Sequence, residues 1–208
     1  MGINYKTNNI NKIKNLKDKI KLNNKNLKIT FYTTLLFWGT HNIKASASLN
    51  NFLLGKRHGF SILNAEHHIT LLKRAAKILF ELRKCDQKIL FINQPLNQNF
   101  DGIIKSLALR ALQPYSVGKW SNGFFRKKHH LFYSAFFFNP SKSIYALREA
   151  NRIGIPIVSL NGLDNDFKKP MYPIFCNNLQ GDSIFFNSFI LSNSIIEGHL
   201  FRFIKKKF

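Results

Sequence analysis

The sequence predicts an α/β fold in which helices cover both faces of a parallel sheet. Strand-length apolar runs alternate along the chain with longer segments whose apolar residues recur at helical spacing. Hydrophobic residues make up 45% of the 208 residues, which is enough for one sizeable core. We therefore expect an N-terminal basic arm at 1–28, a single α/β domain at 29–197 and a basic C-terminal tail at 198–208.

The charge of the chain is strongly one-sided. Its 32 Lys and Arg residues against 10 Asp and Glu residues give a formal net charge of +22, and its pI is about 10.2. Such an excess is typical of a protein that binds a polyanion, with nucleic acid as the first candidate and an anionic membrane surface as the second. The shortage of carboxylates argues against acid–base or metal–carboxylate catalysis, because both need these groups in clusters.

The N-terminal segment 1–28 contains eight Lys and eight Asn residues but only one acid, Asp18. Its apolar residues between 10 and 20 form a thin stripe at helical spacing. An import presequence would be rich in Arg and Ser, and Lys6 stands where myristoylation requires Ser or Thr. The segment is interpreted as a basic arm that becomes ordered on an anionic partner, with a solvated tail as the alternative.

The first apolar run, residues 29–38, fits either a strand or a short buried helix. Residues 40–53 are small and polar, and we expect them to form an extended connection. Further along, Asn64 is a good helix N-cap, and Glu66 in the next turn complements the helix dipole. Apolar residues then recur at helical spacing, so a helix is predicted over residues 64–83.

A turn between Gly55 and Gly59 lies just before this helix. The turn is expected to hold Lys56 and Arg57 in solvent, since neither cation can be buried without a partner. Considered alone, it fits an ordinary solvated loop better than a polyanion contact. Residues 60–63 are predicted to be a short extended piece.

Three compact apolar runs in the second half are predicted to be buried parallel strands: 88–93, 131–138 and 155–160. Amphipathic helices are predicted at 100–112, 141–153 and 182–197. The inward residues of the helix at 141–153 are expected to be Ile144, Leu147, Ala150 and Asn151, with Gly154 as its C-cap. Residues 161–181 are predicted to be loop-like, with a short extended segment at 172–175.

The sequence lacks the motifs of common catalytic and cofactor sites. Cys85 and Cys176 are far apart and are interpreted as reduced core thiols, and the pair His67-His68 has no third metal ligand at a suitable spacing. No G-x-G-x-x-G follows a strand, and neither a P-loop nor a G-x-S-x-G elbow is present. We expect no cofactor and no metal, and an α/β enzyme for a nucleotide or sugar phosphate is the alternative function.

The loop 118–130 interleaves cations with aromatic residues. Its aromatic residues are expected to anchor the loop to the core: Trp120, Phe124 and Phe125. Its central cations favour contacts with RNA phosphates: Arg126, Lys127 and Lys128. The basic segment 199–207 repeats this pattern near the C-terminus.

Several short motifs occur in an order and spacing that are specific when taken together. Residues 55–64 resemble a G-x-R-x-G-x-x-I-I-D segment, and Lys119-Trp120-x-x-Gly123 resembles R-W-L-G-G. Further matches are Pro114-Tyr115, Asn139-Pro140-x-Lys142, Glu149-Ala150 and Gly154-Ile155-Pro156. On these residues the chain resembles the small-subunit ribosomal protein S2 family, in its bacterial and organellar form, over roughly residues 36–195.

The resemblance implies a flavodoxin-like fold that binds small-subunit rRNA between head and body and contacts neighbouring ribosomal proteins, without catalysis. It also allows mRNA near its exit path as a further partner. The family's long helical hairpin after R-W-x-G-G is missing, because the strand at 131–138 follows Gly123 closely. His41 lies one place later than the family's H-F-G-H histidine, so no role is transferred to it.

Heavy use of Lys, Asn, Ile and Phe is typical of an AT-rich genome, such as that of an organelle. The chain is therefore interpreted as an organelle-encoded structural constituent of the mitochondrial small ribosomal subunit in the matrix, with the plastid as the alternative location. The predicted rRNA-binding residues are Lys56, Arg57, Lys119, Arg126, Lys127, Lys128, Lys142, Lys205, Lys206 and Lys207. A peripheral membrane protein is a third interpretation, and no apolar run reaches the length of a bilayer span.

Overall fold

A computed structural model describes residues 38–41, 47–94, 100–128, 131–163 and 170–206. The strands are β1 (Trp38–His41), β2 (Leu53–Arg57), β3 (Phe60–Leu63), β4 (Ile89–Asn93), β5 (Tyr115–Val117), β6 (Ser134–Phe137), β7 (Ile157–Asn161) and β8 (Tyr172–Phe175). The α-helices are α1 (Ala65–Lys84), α2 (Asp101–Arg110), α3 (Phe124–Lys128), α4 (Ile144–Ile153) and α5 (Gly181–Lys206), and a 3-10 helix spans Ala47–Phe52. The predicted arm 1–28 and the run 29–37 lie outside the described residues.

The centre of the molecule is a five-stranded parallel sheet in the order β5-β4-β6-β7-β8. Counted along the chain from β4, this is the 2-1-3-4-5 order of flavodoxin-like folds. Every residue of β4, β6 and β7 is buried, which explains why these strands are continuous apolar runs in the sequence. The predicted α/β fold with a flavodoxin-like sheet is therefore confirmed.

Helices cover both faces of this sheet, as predicted. On one face, α1, α2 and α5 pack on side chains that include Phe91, Phe136 and Leu160. On the other face, α3 and α4 pack on side chains that include Leu90 and Phe137. Because successive strand residues point to opposite faces, each buried strand contributes alternately to the two cores.

A small antiparallel sheet, ordered β1-β3-β2, projects from this domain. The tip of the β2–β3 hairpin is His58-Gly59, with φ of 49° and 79°, as a two-residue turn with both central residues left-handed requires. Lys56 and Arg57 were expected on the turn, but they lie in β2, because strand pairing with Ser61 and Phe60 extends to the tip. The expected extended piece at 60–63 is confirmed as β3.

Helix α1 begins as predicted, since the Asn64 side chain accepts a hydrogen bond of 2.9 Å from the Glu66 amide. Helix α5 packs against α1 and does not end near residue 197 but continues to Lys206. At Gly198 the two backbones approach so closely that a Cβ would lie 2.5 Å from the Phe80 carbonyl oxygen. The proposed boundary between domain and tail therefore falls inside a continuous helix.

Polar contacts also join α1 and α5 beside Gly198, around Arg83 and His199. The Arg83 guanidinium lies 2.8 Å from Nδ1 of His199, and Asp86 pairs with both Arg83 and Arg202. Burial lowers the pKa of His199, and the neighbouring Arg83 and Arg202 charges lower it further. The imidazole is therefore neutral at neutral pH and can accept the Arg83 hydrogen bond.

Other details differ from the sequence predictions. Residues 40–53 are not simply extended, because β1 reaches His41 and a 3-10 helix covers Ala47–Phe52. In α4, Leu147 and Ala150 are buried and Gly154 caps the helix with φ of 79°, but Ile144 and Asn151 are exposed. The predicted short extended segment at 172–175 is confirmed as β8, the fifth strand of the parallel sheet. Both cysteines are free thiols, but Cys85 is exposed and only Cys176 is in the core.

Candidate nucleic-acid interface

The hairpin tip is an exposed basic feature of the described structure. Residues Leu54 to Gly59 are all exposed, and no carboxylate among the described residues pairs with Lys56 or Arg57. As neighbours in a strand, the two side chains point to opposite faces of the hairpin. The hairpin therefore presents one cation on each of its faces, and each of them can contact a phosphate.

A second basic feature, the segment 118–128, is held in place by one carboxylate. The Trp120 indole N–H donates to Oε2 of Glu149 at 3.0 Å, the Gly123 amide donates to the same oxygen at 3.2 Å, and the Arg126 amide donates to Oε1 at 3.0 Å. Gly123 adopts φ of 82°, which favours glycine. Glu149 in α4 thus fixes the path of the chain from β5 into α3.

The aromatic residues of this segment belong to the core, as predicted. Trp120 is only 8% exposed, and Phe125 is fully buried in the cluster beneath α3 and α4. The Phe124 ring stacks on that of Phe132, with centroids 5.8 Å apart. Trp120 and Phe125 therefore have no free face for an RNA base, and their role is to anchor the cations around them.

Of the predicted cations of this region, Lys119 follows β5 and Lys142 follows β6 at the carboxyl edge of the sheet, whereas Arg126 and Lys127 lie in α3. Lys119, Arg126, Lys127 and Lys142 are all exposed. Gln94, at the end of β4, can donate to the Lys142 carbonyl oxygen at 3.0 Å and accept from the Trp120 amide at 3.1 Å. This bridge brings the backbones beside Lys119 and Lys142 together, although the two lysines are 23 positions apart in the sequence.

The C-terminal cations lie elsewhere. Lys205 and Lys206 are in the last turn of α5, and Arg202 one turn earlier pairs with Asp86 at the amino edge of the sheet. The structure therefore places them on the opposite edge from Lys119 and Lys142. Lys128 ends α3, but its side chain, those of Lys205 and Lys206, and all of Lys207 lie outside the described residues.

The carboxyl edge between β4 and β6 is where a flavodoxin-like sheet would bind a cofactor. The cavity there measures about 60 Å³ among the described residues, far below the 300–1,000 Å³ of ordinary small-molecule sites. Asn93 at this edge donates to Asp101 at 2.7 Å, so its amide is already engaged. The described residues also hold no group of three or more His, Cys, Asp or Glu side chains suited to a metal ion.

His68, the inner member of the histidine pair, is a core residue. Its Nδ1 lies 2.7 Å from the carbonyl oxygen of Phe175, which fits a neutral imidazole that donates this hydrogen bond. Burial lowers the pKa of His68. His68 therefore has a structural role, whereas His67 is exposed.

The role of Glu149 was not predicted from the sequence. The sequence contains one clue to this role: Glu149 is the only acid between Asp101 and Asp164, within a strongly basic stretch. A lone carboxylate in such a stretch is a natural acceptor for nearby donors. What the sequence did not show is which donors meet it, since they lie 23 to 29 positions away.

The described helices include none that is both long enough and apolar enough to cross a bilayer.

A family model described as "Ribosomal protein S2" matches residues 33–135, from β1 through the hairpin, α1, β4, α2, β5 and α3 into β6. The chain is 31% identical over 75 residues to the "Small ribosomal subunit protein uS2" of Psychrobacter sp. (strain PRwf-1). That match covers 36% of this chain and 28% of the relative's length. The order of the sheet, the basic hairpin and these matches agree: the chain belongs to the ribosomal protein S2 family.

Proposed function

We propose that the protein is a structural, non-catalytic constituent of the mitochondrial small ribosomal subunit, where it binds rRNA and neighbouring ribosomal proteins. The observation that carries this proposal is the family match, which includes the basic hairpin and the first half of the sheet. The net charge of +22 supports an RNA partner, and the amino-acid usage of an AT-rich genome supports the organelle. Contact with mRNA near its exit path is part of the same proposal.

Binding would depend on cations presented by rigid backbone. The proposed phosphate contacts with described side chains are Lys56, Arg57, Lys119, Arg126, Lys127 and Lys142. Each contact would release counterions, so the affinity for rRNA should fall steeply with salt. These Lys and Arg side chains would contact phosphates and would not read base edges. The position of the protein on the rRNA would therefore be set by RNA shape and by neighbouring proteins. The arm 1–28 and the basic segment 198–208 would add phosphate contacts at the two ends of the domain 29–197, and the C-terminal segment would do so as the end of α5.

The hairpin gives the sharpest test of RNA binding. The double variant Lys56→Glu/Arg57→Glu should weaken binding to small-subunit rRNA and lower the magnitude of the slope of log K against log salt by about 2, one for each lost phosphate contact. The fold should stay intact, because both side chains are exposed in the free protein. Filter binding over a salt series, with thermal unfolding of the same samples, measures both quantities.

The matched control is Arg74→Glu/Lys77→Glu, which makes the same change of charge on the exposed face of α1. If the hairpin is a specific contact, its variant loses more affinity and more salt dependence than this control. Equal losses in the two variants would mean that only net charge matters, and the assignment of Lys56 and Arg57 would be wrong.

A further inference from the structure

A cleft of about 520 Å³ lies on the face of the sheet that carries α3 and α4. We call it the α4 cleft. It is lined by one face of α4 and by the residues that lead into α3. Its volume lies in the range of small-molecule binding sites. None of the residues that line it on α4 belongs to the rRNA contacts proposed above.

The α4 cleft is strongly basic. Its lining contains Arg126, Arg148 and Arg152 against one carboxylate, Glu149. That carboxylate accepts three hydrogen bonds from the segment 120–126, so both of its oxygens are engaged on the side of the anchored backbone. Three guanidinium groups against one engaged carboxylate leave a formal excess of two positive charges.

The placement of Arg148 and Arg152 is unfavourable for the isolated helix. Residues four apart lie side by side on one face of a helix, and like charges at this spacing repel. Both side chains are exposed, and within the part of the chain that the structure describes neither forms an ion pair. An anion between them would relieve this repulsion. Their separation along the helix axis, about 6 Å, is comparable to the repeat of one nucleotide in an extended strand.

An aromatic ring completes the cleft. Tyr145 lies one turn before Arg148 on the same face of α4, and it is 67% exposed, unlike the buried rings of the segment 118–128. A flat exposed ring beside paired guanidinium groups is the arrangement used for unpaired nucleotides, in which a base stacks and the cations hold the backbone. An acidic protein segment would use the arginines but would have less use for the ring.

We propose that the α4 cleft binds an unpaired RNA segment, with Arg148 and Arg152 on successive phosphates and one base stacked on Tyr145. This proposal rests on the proposed function, in which the subunit supplies the RNA. It adds a site for single-stranded RNA that is distinct from the hairpin tip, and Glu149 acts in it as a positioning residue that holds Arg126 at the edge of the cleft.

The test uses the full chain and a fluorescein-labelled 12-nucleotide oligouridylate, with binding followed by fluorescence anisotropy between about 50 and 200 mM salt. In Arg148→Gln/Arg152→Gln, the salt slope should fall in magnitude by about 1.4, as expected for two single-strand phosphate contacts. Tyr145→Ala should weaken binding at least about fivefold, and Tyr145→Phe should retain it because the ring is kept. The control Arg74→Gln/Lys77→Gln removes the same charge from α1 and should change the slope less.

Several results would overturn the proposal. They are undetectable binding of the oligonucleotide at about 50 mM salt, equal effects of the cleft pair and the α1 pair, or tight binding by Tyr145→Ala. In isolated small subunits, ultraviolet cross-links from the Tyr145 peptide should reach RNA; cross-links to protein alone would identify a protein occupant instead. If the tagged protein co-sediments with small subunits but its cleft variants bind the oligonucleotide as tightly as the unmodified protein, only the cleft proposal would be wrong. A protein that never co-sediments would overturn the proposed function, independently of the oligonucleotide result.

Discussion

Replacement of Glu149 by Ala tests whether one carboxylate holds the basic segment 118–128. The substitution removes the acceptor for the Trp120 indole, the Gly123 amide and the Arg126 amide. The three donors do not contribute equally. The Arg126 hydrogen bond is exposed, so water replaces it at little cost, whereas Trp120 is 8% exposed and its indole N–H would lose its partner.

The expected loss of stability follows from this difference. A buried donor left without a partner costs about 1–3 kcal/mol, and the half-buried Gly123 amide adds up to about 1 kcal/mol. We therefore expect Glu149→Ala to lower the free energy of unfolding by about 1–4 kcal/mol. The matched control is Glu81→Ala, which removes a carboxylate from an exposed pair with Lys84 in α1. Such pairs contribute at most about 1 kcal/mol.

Urea unfolding followed by far-ultraviolet circular dichroism measures both variants, because changes at Trp120 do not dominate that signal. A Trp120→Phe background removes the indole donor, so Glu149→Ala should cost about 1–2 kcal/mol less there. Amide exchange in residues 119–127 should accelerate in Glu149→Ala and not in Glu81→Ala. If the two single variants agreed within about 0.5 kcal/mol, the anchoring role of Glu149 would be refuted.

Three further predictions concern the core and the helix pair. Gly198→Ala should cost about 1–2 kcal/mol net, because its Cβ would press on the backbone of α1, and thermal unfolding measures the loss. With a thiol reagent at pH 8, native protein should show one fast thiol, the exposed Cys85, because burial raises the pKa of Cys176 to about 12. Stability should fall as the pH is lowered from 7 to 5, because the folded-state pKa values of His68 and His199 are lowered and the unfolded chain binds the proton first. The slope contributed by the buried His68 should reach at most about 1.4 kcal/mol per pH unit, and the more exposed His199 should contribute less.

Each of these predictions has a control or a contradicting result. Gly102→Ala lies in α2 with open space around its Cβ, so it should not destabilise, and equal losses at both glycines would contradict the close approach. Two thiols that react equally fast in the native state would contradict the burial of Cys176. A free energy of unfolding that stayed constant between pH 7 and 5 would contradict a neutral, buried imidazole at His68. The variant His68→Gln should make the pH dependence of stability shallower.

The fold could be predicted largely because of one physical circumstance. Strands β4, β6 and β7 are buried on both faces, so their sequences are uninterrupted apolar runs that stand out against a lysine-rich chain. Strand β5 was missed because it has three residues, lies at the sheet edge and exposes Tyr115. Its pairing with β4 is a long-range interaction that leaves no periodic signal.

Two helices show where local signals mislead. Helix α3 was predicted as loop because five residues carry little helical periodicity, and its stability comes from the burial of Phe125 and from Glu149 in α4. Helix α5 was expected to end before Gly198, since a glycine after an apolar stretch usually marks a helix end. In the fold, this glycine allows the two helix backbones to approach closely.

The candidate site was predicted in part. Exposure of Lys56 and Arg57 followed from their charge and the flanking glycines, and anchoring of the loop followed from its aromatic residues. The α4 cleft was not predicted, although Tyr145, Arg148 and Arg152 share one helix face. Their spacing shows which residues are neighbours on the helix, but only the packing of α3 beside α4 creates a cleft.

The most direct test of the central claim is the sedimentation of the tagged, full-length protein from gently lysed mitochondria. We expect the protein to co-sediment with small ribosomal subunits at low salt and to remain there after large subunits are dissociated. The variant Lys56→Glu/Arg57→Glu should shift a larger fraction to the soluble pool. If the protein stayed with free soluble proteins under all conditions and never reached the small-subunit fractions, the proposed ribosomal function would be wrong.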